Sequence, residues 1–205
     1  MMIRSMNRTA YNAISSQWDT ARASFHGREQ AYLDTFLVGL SPGSTIVDAG
    51  CGTGRPMAEY VIARGHRIIG IDQSEELLSK ARARFPAEHW IHAALETYPF
   101  EEPCHGVICW DALFHVERKH HAAILERTAR CLVAGGRLML TIGGSVHPAF
   151  TDSMFGETFF YDSFPPQTVL RMLGDLGLSP LISEFTDMPT QGRDKGRYAI
   201  VAKKA

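Results

Sequence analysis

The chain is poor in several things, and each shortage removes a class of function. Its four cysteines, Cys51, Cys104, Cys109 and Cys131, form no C-x-x-C pair, and a chain of 205 residues needs no disulfide staples. Nine histidines include no H-x-x-x-H or H-E-x-x-H, so no protein-bound metal is expected. No apolar stretch approaches the roughly 18–20 residues of a membrane-spanning helix. The first twenty residues carry Arg4 and Arg8 but no continuous apolar segment of a secretory leader. Charge of one sign is also missing: 21 basic residues against 22 acidic ones leave a formal charge of −1. That balance offers no global field for nucleic-acid phosphates. There is no G-K-[S/T], which excludes a phosphate-cradling P-loop, and no internal repeat. With 45% hydrophobic and 21% charged residues the composition is globular. The expectation is one soluble, cytoplasmic domain over residues 1–205, with no membrane or nucleic-acid partner and an open oligomeric state.

What is present is an alternation of strand-like and helix-like segments, the pattern of an α/β protein with a mostly parallel sheet. Strands are expected at Thr45–Asp48, Arg67–Asp72, Trp90–Ala93, Gly106–Trp110, Arg137–Ile142 and Arg197–Lys203. Helical stripes run through Met57, Tyr60 and Val61, with Pro56 in the first turn, and through Leu77, Leu78, Ala81 and Phe85, with Ser74 as N-cap. A third stripe is Ile124, Leu125, Thr128 and Leu132, stopped by Gly135-Gly136. A fourth, Val169 to Leu176, is entered through Pro165-Pro166 and ends at Gly177. Two regions stand outside the alternation. Residues before about 40 read as a helical cover, and residues 143–164 form a long connection of the kind that serves as a lid.

The most informative stretch is I-V-D-A-G-C-G-T-G, residues 46–54, where a strand ends at Asp48 and glycines 50, 52 and 54 precede a helix. Such a loop brings backbone N–H groups and a helix N-terminus close to a ligand. Its spacing is not the G-x-G-x-x-G of dinucleotide sites. Asp72 ends the next strand, eighteen residues after Gly54, where an acid can accept hydrogen bonds from ribose hydroxyls.

D-A-G-C-G-T-G followed by I-I-G-I-D resembles the first two motifs of the class I S-adenosylmethionine-dependent methyltransferases. Y-P-F at 98–100, I-C-W-D-A-L-F-H at 108–115 and L-V-A-G-G-R-L at 132–138 sit where that family places further motifs. The resemblance covers nearly the whole chain and implies a three-layer Rossmann-like fold. Its sheet would have seven strands in the order 3-2-1-4-5-7-6, the seventh antiparallel. It implies S-adenosylmethionine as cofactor, with S-adenosylhomocysteine as product. Asp48, Gly50, Cys51 and Gly52 would surround its methionine part, with Gly54 also at the cofactor, Asp72 at its ribose and Gln73 beside its adenine. Where many members carry an Asp that reads the adenine amino group, this chain has Ala94, which moves that contact to the Leu95 backbone and Glu96.

Trp110, at the end of the fourth strand, can lie beside a sulfonium, which an aromatic face attracts by about 0.5–2 kcal/mol. Tyr11 and Trp18 belong to a stretch that resembles the cofactor-covering helix of small-molecule members; packing on the sheet is the plainer reading of both. His115 is the candidate base, or else only shapes the acceptor pocket. Glu157 and Tyr161 are candidate acceptor contacts in the lid, brought together by either a helix or a strand. Methyl transfer from a sulfonium is an in-line displacement, for which positioning alone can supply ~7–11 kcal/mol. A small-molecule acceptor is favoured over a nucleic acid or protein, given the charge balance and the absence of an N-P-P-Y-type segment. The remaining alternatives are a non-enzymatic nucleoside binder and an oxidoreductase, against which the glycine spacing argues.

Overall fold

The computed structural model describes residues 3–191 and 194–205. Short apolar runs become buried strands. β1 (Thr45–Ala49) lies at the centre of a seven-stranded sheet, flanked by β2 (Arg67–Asp72) and β4 (Cys104–Cys109). β3 (His89–His92) closes one edge; β5 (Leu132–Gly143), β9 (Arg197–Lys204) and β8 (Leu178–Asp187) extend the other. The order is β3-β2-β1-β4-β5-β9-β8, with β9 antiparallel to both its neighbours. This is the expected order once a hairpin, β6 (Phe150–Met154) and β7 (Glu157–Tyr161), is set apart as its own two-stranded sheet.

Alternation along the strands divides the core. Ile46, Ile68, Ile108 and Met139 meet α3 (Glu29–Leu37), α4 (Met57–Ala63) and α5 (Glu75–Arg84) on one face. Val47, Ile71, Val107 and Leu138 meet α6 (His121–Cys131) and α7 (Pro166–Asp175) on the other. Three layers result, as parallel strands buried on both faces require. Ser74 caps α5 by accepting from the Leu77 N–H at 3.2 Å.

Several local expectations need correction. Leu132 is not the last turn of a helix but the first residue of β5, because α6 passes directly into the strand before the glycine pair. Pro56 is the N-cap of α4, which starts at Met57. β8 was not among the strands read from the residues: only Leu178 is buried, and Pro180 interrupts its pairing, as an edge strand permits. The 143–164 connection contains the β6–β7 hairpin, closed by Phe155-Gly156 with both residues at positive φ. Among the described residues no helix is long and apolar enough to cross a membrane.

Before β1 the chain folds as α1 (Ile3–Ala13), α2 (Ser15–Ala21) and α3, and α1 lies against β7 and α5. Asn7, fully buried, joins these parts. Its amide donates to the carbonyls of His115 at 2.9 Å and Phe160 at 3.1 Å and accepts from the Phe160 N–H at 2.8 Å. A second tie runs from the Asp162 N–H to the Phe114 carbonyl at 2.8 Å. The Asp162 carboxylate in turn accepts from the Arg118 backbone N–H at 2.7 Å and from its guanidinium.

Candidate functional site

The C-terminal ends of β1, β2 and β4 open on one side of the sheet, where ligands of open α/β sheets bind. The loop after β1 is shaped by its glycines. Gly50 has φ +85°, and a Cβ there would land inside the Ala112 methyl group, so the loop after β4 rests on it. Gly52 has φ +54°; a Cβ there would reach 3.4 Å from Trp18 Nε1, into the space between the loop and the helical cover. Gly54 differs: a Cβ there would meet the Phe85 and Trp90 rings at 3.0–3.1 Å, so its missing side chain makes room for packing.

Asp72 holds the loop in register. Its Oδ2 accepts from the Gly52 N–H at 2.9 Å, and its Oδ1 from the Ser74 N–H at 2.8 Å. A cleft runs from here, with Gly50, Gly52, Asp72 and Gln73 at one end and Leu95 and Glu96 beside them. The carbonyls of Leu95 and Glu96 are occupied by the Arg127 guanidinium at 3.0 and 3.1 Å, which fixes the stretch after β3. Trp110 forms part of the wall. Its indole N–H donates to Glu29 at 2.8 Å, and Glu29 is gripped by both terminal nitrogens of Arg22 at 3.0 and 3.1 Å.

A smaller cleft adjoins at Gly50 and Gly52 and reaches Asp48, Cys51 and Arg22. Burial and the neighbouring Asp72 push the Asp48 carboxyl up to about 7. Burial also raises the Cys51 thiol well above its ordinary value, so Cys51 is a packing group and not a nucleophile.

A third cleft lies on the far side of Tyr11, Trp18 and His115 and is bordered by Phe114, Tyr161 and Arg197. Tyr11 donates its hydroxyl to His115 Nε2 at 2.9 Å, while His115 Nδ1 donates to the Phe160 carbonyl at 3.0 Å. A carbonyl can only accept, so Nδ1 carries the proton and Nε2 receives the Tyr11 bond. Burial lowers His115 to about 4, which keeps it neutral at physiological pH. Direct proton abstraction by His115 therefore requires first breaking its bond to Tyr11.

Tyr161 stacks on Phe150 at 5.2 Å and tilts against His115 at 4.8 Å. Glu157 is not with it. In β7 four residues span about 13 Å, so Glu157 lies at the turn end of the hairpin and lines none of the clefts. The expectation that a strand would bring the two together overlooked this rise.

Three residues escaped the sequence reading. Arg22 follows the cover helix and is buried with Glu29 seven residues on, a spacing that signals nothing by itself. Asp111 was in view within C-W-D-A, directly after the fourth strand, and that position was its signal. It adopts φ +50° and is bound by Thr141 and Arg197. Arg197 opens β9, far away in sequence, and no local pattern marks it.

Residues 46–136 match a family model described as a methyltransferase domain. The chain is 35% identical over 92 residues to malonyl-[acyl-carrier protein] O-methyltransferase of Salmonella typhimurium, 45% of this chain and 36% of that protein. It is 33% identical over 108 residues to trans-aconitate 2-methyltransferase of Methylobacterium nodulans, 49% of this chain and 39% of that protein. The matches thus span less than half the length of these curated relatives. In structure it is similar to Burkholderia thailandensis 1,6-didemethyltoxoflavin-N1-methyltransferase, solved with that compound and S-adenosylhomocysteine. That likeness has TM-score 0.71 at 17% identity and covers 97% of this chain and 87% of the other, a likeness of fold. The glycine loop and these matches agree that residues 46–136 are similar to a methyltransferase domain, carried on a fold similar to that of solved S-adenosylmethionine-dependent methyltransferases.

Proposed function

We propose that the protein transfers a methyl group from S-adenosylmethionine to a small-molecule acceptor. The observation that carries this reading is the Gly52–Asp72 pair at the head of the first cleft. A carboxylate that already orders the loop keeps further lone pairs for ribose hydroxyls. The side-chain space left open at Gly52 beneath Trp18 fits a ligand lying across the loop. When bound, S-adenosylmethionine supplies a methyl group activated by its own sulfonium charge.

The chain's residues supply the rest. Gln73, Leu95 and Glu96 border the adenine end, and Asp48 the amino-acid end, an acid for an ammonium. Trp110, fixed by Glu29, gives an aromatic wall for positive charge. Tyr11 and Trp18 close the cleft from above, and the hairpin, through Tyr161, walls the acceptor side as a lid. His115 acts first by holding the Tyr11 hydroxyl. By their names one relative above acts on trans-aconitate and the structural neighbour on 1,6-didemethyltoxoflavin, which supports a small acceptor here without indicating its charge.

Calorimetry with S-adenosylhomocysteine tests the reading. The protein should bind it, and Asp72→Ala should lower affinity ten-fold or more, since hydrogen bonds to a charged group contribute about 1.5–3 kcal/mol. Binding unchanged in a folded Asp72→Ala protein would remove the ribose assignment.

A further inference from the structure

The three clefts meet at one charged side chain. Asp111, directly after β4, lines the cleft of Gly52 and Asp72, the cleft of Asp48, and the cleft of Phe114 and Tyr161. It is held in place from two directions. The Thr141 hydroxyl donates to Oδ1 at 3.1 Å, and Arg197 Nη1 donates to Oδ2 at 2.7 Å. Its backbone N–H is fixed as well, donating to Thr141 Oγ1 at 2.7 Å. Two carboxylate oxygens offer about four acceptor positions, so half of the capacity of Asp111 remains after these bonds.

The arginines at the junction are already paired. Tyr11 and His115 satisfy each other. Every guanidinium lining the three clefts already holds a carboxylate: Arg22 that of Glu29, Arg55 that of Glu59, and Arg197 those of Asp111 and Asp187. Asp48 and Asp72 stand on the same side of the junction. The electrostatic balance there favours a donor over an acid.

We propose that Asp111 anchors the methyl acceptor by accepting a hydrogen bond from its N–H or O–H, so that the acceptor class is a neutral amine or hydroxyl compound and not a free carboxylate. This rests on the methyl-transfer reading above. A donor seated on Asp111 leaves its nitrogen or oxygen lone pair directed along the cleft, towards the methyl group. The new bond joins that atom to the methyl carbon, the carbon–sulfur pair returns to sulfur, and the proton leaves for water.

The test needs no knowledge of the natural acceptor. Sinefungin carries a protonated amine on carbon where the cofactor carries its methylated sulfur, and so places an ammonium at the transfer point. By calorimetry the wild-type protein should bind sinefungin about ten-fold or more tightly than S-adenosylhomocysteine, and Asp111→Asn should erase most of that ratio. A wild-type protein that binds the two equally overturns the anchor and leaves the cofactor reading standing. A preference unchanged in folded Asp111→Asn also overturns it. If the variant does not fold, the wild-type ratio alone decides. A protein that binds neither compound removes both readings.

Discussion

Two ends of the same sheet are organised differently. Around β1, β2 and β3 the site is made by backbone: glycines at positive φ, N–H groups gathered by Asp72, and a helix that starts just beyond. Around β4, β5 and β9 it is made by side chains from distant segments, Asn7 to Phe160, Tyr11 to His115 and Arg197 to Asp111. A backbone-built site tolerates changes of its neighbours but not of its own geometry. A side-chain-built site can be rewired residue by residue, which suits the part that must differ between acceptors.

The sharpest way to break the first half is Gly50→Ala. The left-handed backbone disfavours a Cβ by roughly 1–2 kcal/mol, and overpacking against Ala112 adds about 1–3 kcal/mol. Urea unfolding should show a loss of that combined size, with S-adenosylhomocysteine binding abolished. A stability within experimental error of wild type would refute the rigid-loop description.

Next in size is a contrast in pH response. Asp48 is raised to about 7 in the folded protein, so its contribution is most favourable below the unfolded value and is lost as pH rises towards 7. His115 is lowered to about 4, so its contribution is present above the unfolded value near 6.5 and lost as pH falls through 4. Between pH 4 and 6.5 the two oppose each other, each worth about 3–4 kcal/mol at most. Asp48→Asn should leave a stability that climbs with pH over that window, and His115→Gln one that declines. Parallel curves for the two variants would show that the halves do not titrate as described.

The smallest expected effect is Glu157→Gln. Lining no cleft, it should change stability by less than about 0.5 kcal/mol and S-adenosylhomocysteine affinity by less than about two-fold. A larger change measured by thermal unfolding or calorimetry would bring the hairpin turn into the site.

The same division explains what could be read before folding. The glycine loop, Asp72 and the capped helix at Ser74 were legible because a turn, a strand end and a cap are local events written in neighbouring residues. Trp110 and Asp111 follow the fourth strand, and one was singled out while the other was passed over, since an Asp at a strand end has no signature until Thr141 and Arg197 are seen to hold it. Arg22 and Arg197 were silent for the same reason. The hairpin was sensed only as an aromatic-rich connection, and β8, with one buried residue and a proline, lacked the apolar run that announced the other strands.

Asn7 has a mechanical consequence. Its three bonds use both amide hydrogens and the carbonyl, and they bridge α1, the turn after β4 and the hairpin strand β7. Swinging the hairpin away alone would strand the buried N–H and carbonyl of Phe160, an opening that costs more than moving the helix with it. Under the proposed function, the cover over the cofactor and the wall beside the acceptor would therefore travel as a single body, and entry to the two ends would share one gate.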